Sequence, residues 1–207
     1  FAASTWMRGI RYINIPTTLL AMVDASIGGK TAINSKFGKN LIGAFHVPFA
    51  VLIDSSLLKT LDASEISNGL AEVVKCGFIH DPYILKLLEA SDRLYDEIIR
   101  RTIVVKLHFV EADPLEQKSG IREILNYGHT LGHALEKVLA YQMSHGQAIA
   151  IGMHFAAQLS LRLGYISQEL VDRHTNTLQS VGLQTMVSGV SWSSLVPYIL
   201  RDKKNVS

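Results

Sequence analysis

Two kinds of hydrophobic pattern divide the sequence near residue 61. Before that point the apolar runs are short: residues 11–15 alternate and stop at Pro16, and residues 50–54 form a compact apolar run. Runs of this length predict short strands, the second of them buried. Residues 16–27 between them predict a helix, with Pro16 at its start and Gly28 just after its end. This order is typical of part of an α/β domain, and we expect no third strand there.

From Asp62 onward the apolar positions recur with the period of a helix. Helix-start signals stand at Asp62, at Asp81-Pro82 and at Ser167, where a capping residue precedes an apolar run. Residues 145–163 are apolar on nearly every face, which predicts the central helix of a bundle, ended by Gly164. The predicted fold is therefore the end of an α/β domain over residues 1–61, followed by an all-α domain over residues 62–207.

Three glycine-containing segments allow local predictions. Residues 1–9 have the pattern of a helix end, closed by Gly9. Residues 28–31 (GGKT) are similar to a phosphate-binding loop, but the Walker A spacing requires glycine where Asp24 stands. A plain turn explains these two glycines equally well. Residues 37–40 (FGKN) predict a second turn that carries a lysine.

Composition narrows the class of protein. The chain has 207 residues, 48% of them hydrophobic, which is enough for a sizeable core. A net charge of +2 without a long basic run gives no indication of nucleic acid or of a membrane surface as a partner. Because Cys76 is the single cysteine, an internal disulfide is excluded and a reducing cytoplasm is favoured. Since the chain starts with Phe1 and not with Met, we expect it to be a piece of a longer protein.

The segment 125–136, LNYGHTLGHALE, is the strongest candidate for chemistry. On a helix, His129 and His133 would share one face, and His145 follows twelve residues later. Upstream, Glu72 and Lys75 are also spaced to share a helix face. Imidazoles and a carboxylate on apolar helices suit a divalent metal.

A structural interpretation of these histidines stays open at this point. A single histidine on an apolar helix is usually a core or surface residue with a hydrogen-bond partner, and HxxxH lacks the glutamate of the HExxH motif. Gly128 and Gly132 favour the metal-site interpretation. Glycine lowers helix stability by about 1 kcal/mol relative to alanine, so two glycines in this helix require a reason. Glycine is tolerated where something must approach the backbone closely.

Six segments carry a family resemblance: MRGIRYINIPTTLLAMVDASIGGKTAIN, GKNLIGAF, GLAEVVKCG, LNYGHTLGHALE, SHGQAIAIGM and DKKN. In this order and spacing the chain resembles the 3-dehydroquinate synthases over essentially its whole length. It corresponds to their C-terminal two-thirds, without the N-terminal NAD-binding half that carries a glycine-rich loop. The resemblance implies a phosphorus–oxygen lyase of the shikimate pathway. Such an enzyme converts 3-deoxy-D-arabino-heptulosonate 7-phosphate to 3-dehydroquinate and phosphate. It also implies catalytic NAD, which oxidises the C5 hydroxyl transiently, and one divalent metal, zinc or alternatively cobalt.

The resemblance further implies roles for particular residues. The metal ligands would be Glu72, His129 and His145, with His133 in an acid/base role beside the substrate. The implied catalytic residues are His133, Lys75, Lys106, Arg122 and Asn126. The implied substrate-binding residues are Arg8, Asp24, Lys30, Asn40, Lys75, Lys106, Arg122, Asn126, His133 and Lys203. The implied NAD-binding residues are Thr17, Thr18, Asp24, Lys30, Lys39, Thr60, Leu61 and Glu65. A homodimer is the implied assembly.

Two departures from the family pattern and three alternatives stay open. Gln147 stands where the family commonly has glutamate, and the loop between Asp113 and Arg122 is about two residues longer, so either Glu116 or Lys118 takes the position of a family acid. The nearest alternative is another sugar-phosphate cyclase, such as 2-deoxy-scyllo-inosose synthase or 2-epi-5-epi-valiolone synthase. More distant alternatives are a metal-dependent polyol dehydrogenase and a non-catalytic metal-binding module.

Overall fold

The computed structural model describes residues 1–36, 38–117 and 120–201. Phe37, Lys118 and the DKKN segment with Lys203 lie outside these ranges. The helices are α1 (Ala2–Thr5), α2 (Ala63–Ile79), α3 (Pro82–Glu89), α4 (Tyr95–Ala112), α5 (His129–Val138), α6 (His145–Arg162), α7 (Gln168–Ser180) and α8 (Trp192–Leu200). The strands are β1 (Ile13–Asn14), β2 (Lys30–Ser35), β3 (Gly38–Phe45) and β4 (Ala50–Val51).

The helical part is organised around α2 and α6. Helix α2 is buried without interruption over Asn68–Gly77, and its apolar side chains pack against the first three turns of α6. Leu19 and Met22 are also fully buried in this cluster. Leu19 lies just before the helical turn Ala21–Ala25 and Met22 lies within it, so the apolar core is continuous across residue 61.

The predicted helix starts are confirmed, with one difference in mechanism. Asp81 and Ser167 cap α3 and α7 by accepting hydrogen bonds from backbone N–H groups two and three residues ahead. Asp62 stands at the N-cap of α2 but makes no capping hydrogen bond. Helix α6 ends before Gly164 as predicted, yet its second half is not central, since Phe155 and Leu159 are exposed.

Helices α5 and α6 approach each other closely at glycines. A Cβ at Gly152 would lie 1.9 Å from the carbonyl oxygen of Gly128, and one at Gly132 would lie 2.6 Å from Ile149 Cδ1. The group that approaches these glycines is therefore the neighbouring helix and not a metal. Gly128 also has φ +80° at the N-cap of α5, where an L side chain would be strained.

The first 61 residues contain two small sheets. The predicted strands pair in parallel, with Ile13 of β1 opposite Ala50 of β4. The helix between them is shorter than the predicted range of residues 16–27. It includes the wide turn Ala21–Ala25 and does not reach back to Pro16.

The antiparallel hairpin β2–β3 contradicts the sequence prediction. Residues 38–40, predicted as a turn, belong to β3, and the expectation of no third strand is therefore wrong as well. Nearly every described side chain of the hairpin is exposed or half-buried. Since no face of the hairpin is buried, the sequence carries no alternation of apolar and polar residues that would have predicted it.

None of the helices in the described ranges combines the length and the apolar character that a membrane crossing requires.

Candidate metal centre

Three side chains from three helices converge on one point. Glu72 lies in the middle of α2, and His129 and His145 are the first residues of α5 and α6. One ligand atom from each residue can be chosen so that all three lie within 4.8 Å of one another. Among the described residues these are the ones that form a group able to hold a metal ion.

The helix starts fix the two histidines. His129 Nδ1 lies 3.2 Å from the carbonyl oxygen of Tyr127, which directs Nε2 towards Glu72. At the start of α6, Asn68 Oδ1 accepts a 2.6 Å hydrogen bond from the N–H of Gly146. A Cβ at Gly146 would lie 2.2 Å from the Asn68 carbonyl oxygen, so the glycine lets α6 begin directly against α2. His145 is thereby held next to the ligand on α2.

The Glu72 carboxylate has one paired and one unpaired oxygen. Oε2 accepts a hydrogen bond from the buried Lys75 ammonium. Oε1 is buried without a hydrogen-bond partner in the described structure, 3.7 Å from His129 Nε2 and 3.4 Å from His145 Nε2. An unsatisfied buried carboxylate oxygen is costly. A cation bound by this oxygen and two imidazole nitrogens would satisfy it, so these residues fit a divalent metal.

The surroundings lower the pKa values of two of the three ligands, which keeps them unprotonated. Burial would raise the pKa of Glu72, but Lys75 and the two imidazoles outweigh it and hold this pKa well below its ordinary value. Burial and the Lys75 charge hold the pKa of His129 well below its ordinary value, so this imidazole is neutral.

His145 differs from the other two. Burial would lower its pKa, but the neighbouring carboxylates of Glu136 and Glu72 raise the pKa to about 9. Without a metal, His145 therefore carries a proton near neutral pH, and a metal must displace that proton.

His133 lies beside the three ligands but is not one of them. Its side chain is exposed, and its ring centroid is 5.1 Å from that of His129 and 6.3 Å from that of His145. The HxxxH spacing therefore places His133 next to the metal-binding group, while the second imidazole of that group comes from α6.

Two of the lysines that the resemblance implies are buried and paired with carboxylates, Lys75 with Glu72 and Lys106 with Asp24. Lys106 of α4 binds both the carboxylate and the carbonyl oxygen of Asp24. Burial would lower the pKa of Lys75, but the Glu72 and Asp24 charges outweigh it and raise this pKa. Lys75 and Lys106 are thus buried cations balanced by two carboxylates.

Arg122 makes different contacts from those of a substrate clamp. Its buried guanidinium donates hydrogen bonds to the carbonyl oxygens of Asp113, Pro114 and Gly28, at 3.3, 2.5 and 3.3 Å. A Cβ at Gly28 (φ +101°) would lie 2.9 Å from Arg122 Nη2. In this arrangement Arg122 joins the glycine turn before β2 to the loop after α4.

Glu116 connects two other predicted substrate residues. Lys30 forms an ion pair with Glu116 Oε2, and Asn126 Nδ2 donates to Glu116 Oε1 at 3.4 Å. The sequence left open whether Glu116 or Lys118 takes the acidic position in this loop. Glu116 does contact the predicted site, and Lys118 lies outside the described residues.

Two further predicted substrate residues, Arg8 and Asn40, are exposed. Arg8 is exposed in a left-handed turn with φ +69°. Asn40 is exposed in the hairpin, where its N–H donates to Asn34 Oδ1 at 3.1 Å. Lys203 is outside the described ranges, so its position relative to the site stays a prediction.

The predicted NAD residues occupy neighbouring elements. Thr17 and Thr18 precede the helical turn that packs on α2, where a Cβ at Gly69 would lie 2.6 Å from the N atom of Leu20. Thr60, Leu61 and Glu65 surround the start of α2. The side-chain hydrogen bonds of Thr18, Thr60 and Glu65 are local and reach no further than three residues along the chain. Lys30 and Lys39 instead form ion pairs with the helical part.

Sequence reasoning missed Glu136, and the structure shows what Gln147 contacts. Glu136 Oε1 lies 3.3 Å from His145 Nδ1 and accepts a 3.0 Å hydrogen bond from Lys39. The spacing of seven residues after His129 puts Glu136 on the same helix face, a signal that could have identified it. Gln147, which stands where the family commonly has glutamate, exchanges two hydrogen bonds with the backbone of Gln184, one of which a glutamate could not donate.

Comparison with known proteins covers the whole chain. A sequence model of the 3-dehydroquinate synthase C-terminal domain matches residues 69–205, and one of the N-terminal domain matches residues 1–68. The chain is 50% identical over 99% of its length to the 3-dehydroquinate synthase of Rhodococcus opacus and 45% identical over 100% to that of Tropheryma whipplei. It spans 57% and 58% of these two relatives.

Solved structures give the same fold. The 2-epi-5-epi-valiolone synthase of Streptomyces hygroscopicus, with NAD+ and Zn2+ bound, superposes with a TM-score of 0.88 at 27% identity, over 96% of this chain and 57% of that one. A 2-deoxy-scyllo-inosose synthase in complex with carbaglucose-6-phosphate, NAD+ and Co2+ superposes with a TM-score of 0.85 at 31% identity, over 98% of this chain and 57% of that one.

Proposed function

Because the chain belongs to the 3-dehydroquinate synthase family, we propose that it supplies the metal- and substrate-binding part of an enzyme with that activity. The enzyme would convert 3-deoxy-D-arabino-heptulosonate 7-phosphate to 3-dehydroquinate and phosphate. The observation that carries this proposal is the buried group of Glu72, His129 and His145, whose free carboxylate oxygen faces two imidazole nitrogens.

Zinc is the metal that the donor set suits best, with cobalt as the alternative. Two imidazoles and one carboxylate leave coordination positions open, as in catalytic sites and unlike structural ones. Two structural neighbours bind Zn2+ or Co2+ together with NAD+. When bound here, the metal would polarise a substrate hydroxyl, and NAD would accept a hydride and return it.

The NAD contacts are proposed for the segments that precede and follow the first helical turn. Thr17, Thr18 and Thr60 carry exposed or half-exposed hydroxyls, and Lys30 and Lys39 carry partly exposed ammonium groups. Hydroxyls and cations are suitable partners for a cofactor with a pyrophosphate and two riboses. Asp24, Leu61 and Glu65 complete the proposed set.

The protein's own groups would neutralise charge and move protons. Lys75 is a buried cation paired with the ligand Glu72, and Lys106 is a buried cation paired with Asp24. Both would offset the charge of a substrate with a carboxylate and a phosphate. His133 is exposed beside the two histidine ligands, where it would exchange a proton with a bound hydroxyl. Arg8, Lys30, Asn40, Asn126 and Lys203 are proposed to bind the substrate. For Arg122, that role would require a change in its present carbonyl contacts.

The finer organisation is proposed on the same basis. We assign residues 1–61 to the end of an α/β NAD-binding domain and residues 62–207 to an all-α metal and substrate domain. A homodimer in the cytoplasm is the proposed state of the whole enzyme. The compartment is supported by Cys76, the single cysteine of this sequence, which is free and buried, because disulfide-free chains are usual where thiols stay reduced.

The testing experiment measures phosphate release by the full-length protein with NAD and Zn2+, before and after a chelator. We expect one phosphate per dehydroquinate formed, no net NADH, and loss of activity on chelation. Glucose 6-phosphate serves as a sugar phosphate without a carboxylate, and turnover of it alone would move the protein to another cyclase class. NADH accumulation with a polyol would instead indicate a dehydrogenase.

A further inference from the structure

Glu136 is a buried carboxylate that the proposed reaction does not use. It lies on α5, with 3% of its surface exposed, and one oxygen faces two different elements. Oε1 lies 3.3 Å from His145 Nδ1 at the start of α6 and 3.0 Å from Lys39 Nζ in β3. The carboxylate therefore stands between a metal-ligand candidate and the hairpin.

The geometry at His145 assigns a direction to each ring nitrogen. Nε2 faces Glu72 Oε1 at 3.4 Å, and Nδ1 faces Glu136 Oε1. A histidine that donates its Nδ1–H to a carboxylate keeps its Nε2 lone pair for a metal, and its ring orientation is fixed. His129 obtains the same orientation from a backbone carbonyl, whereas His145 depends on a side chain from another helix.

On the hairpin side of Glu136, the Lys39 ammonium group also lies near an aromatic ring. Lys39 lies 5.6 Å from the ring centroid of Tyr141, just beyond the C-terminal end of α5. Ala140 and Tyr141 both have positive φ, at 49° and 61°, a conformation that is costly for residues other than glycine. This turn places the aromatic ring and the Glu136 carboxylate around the same ammonium group.

We propose that Glu136 is a positioning residue: it orients His145 for the metal, and through Lys39 it couples the β2–β3 hairpin to the metal site. The inference rests on the proposed metal site and is independent of the substrate. Since Lys39 is also a proposed NAD contact, the chain Lys39–Glu136–His145 would connect the cofactor side of the enzyme to a metal ligand.

The test compares Glu136→Gln with wild type in the full-length protein. Zn2+ affinity is measured by competition with a chromophoric chelator, and the visible spectrum of the Co2+ form reports the ligand geometry. We expect Glu136→Gln to bind Zn2+ about 10- to 100-fold more weakly, with an altered Co2+ spectrum. Glu123→Gln, which changes an exposed acid outside this network, is the matched control and should match wild type.

Two other outcomes separate the possible failures. If wild type does not bind Zn2+, the proposed metal site itself is wrong. If wild type binds Zn2+ and Glu136→Gln binds it equally well with an unchanged Co2+ spectrum, the site stands and the positioning role is overturned. Lys39→Met separates the two contacts, because it should weaken Zn2+ binding less than Glu136→Gln does. An equal loss would mean that Glu136 acts through the hairpin alone.

Discussion

The helices that carry the ligands and the hairpin that lies beside them are stabilised by different forces. Helices α2, α5 and α6 pack through buried aliphatic side chains and through glycines that bring backbones into contact. The β2–β3 hairpin is held against the helical part by polar contacts: Lys30 to Glu116, Lys39 to Glu136, and Arg122 over the Phe45 ring at 5.9 Å.

The two regions differ in how precisely they must hold their side chains. A metal site requires its ligands to be held within a fraction of an ångström, which close-packed helices provide. A segment that meets a cofactor or substrate benefits from lower local stability, because it must adjust when the ligand enters. We therefore expect changes in the helical frame to have large effects and changes in the hairpin small ones.

The largest effect is expected from removing a ligand on α2. Glu72→Gln keeps the side-chain volume but removes the charge that the metal and Lys75 share, so metal binding should be lost. Phosphate release should then fall roughly a thousandfold, as expected for a loss of about 4 kcal/mol of transition-state stabilisation. Turnover and bound zinc are measured together, with Glu123→Gln as the control. Wild-type turnover in a zinc-free variant would contradict the site.

The next effect tests the packing of the frame without touching a ligand. Gly152→Ala introduces a methyl group 1.9 Å from the Gly128 carbonyl oxygen, so α5 and α6 must separate. Overpacking of this kind costs about 1–3 kcal/mol in the free energy of unfolding. Helix propensity alone would instead stabilise the protein by about 1 kcal/mol. Urea denaturation distinguishes the two, and an unchanged or raised midpoint would show that the contact is not tight.

The same comparison explains how far the sequence could predict the molecule. Helix starts at Asp81 and Ser167 and the end of α6 near Gly164 were predictable, because capping residues and glycine act locally. The hairpin was not, since its exposed strands carry no periodic pattern. In the site, the residues alone suggested an HxxxH pair. Only tertiary packing pairs His129 with His145, whose α6 start lies against Asn68 of α2.

Glu136 and Arg122 show a second limit. The sequence identifies the type of a charged residue but not the partner that it meets after folding. Arg122 is predicted to bind substrate, and in this structure it donates to three carbonyl groups. Glu136 was overlooked because its partners, Lys39 and His145, come from segments 97 residues before it and 9 residues after it.

An intermediate effect is expected on the pH dependence of folding stability, through the buried His174. His174 stacks on Phe78 and lies 3.1 Å from the Tyr127 hydroxyl, and burial lowers its pKa below the ordinary 6.5. Between the folded pKa and 6.5 the unfolded state binds more protons, so stability should fall as the pH drops below about 6.5. His174→Gln should flatten this acid limb in thermal melts recorded across pH. His108→Gln, on an exposed face of α4, controls for losing an imidazole. If stability falls with decreasing pH as steeply in both variants as in wild type, the acid sensitivity comes from other groups.

The smallest effect is expected in the hairpin. Lys30→Met removes the ion pair with Glu116, in which the lysine side chain is 50% exposed, so the global free energy of unfolding should fall by less than about 1 kcal/mol. The local effect should be clearer, because we expect the hairpin to open independently of the core. Amide hydrogen exchange at the Ile33–Ile42 pair should speed up by up to about fivefold, the factor that corresponds to 1 kcal/mol.

Lys86→Met on α3 is the matched control. The difference from wild type should shrink at high salt, where exposed charges are screened. A loss of global stability comparable to that of Gly152→Ala would mean that the hairpin belongs to the same cooperative unit as the helices.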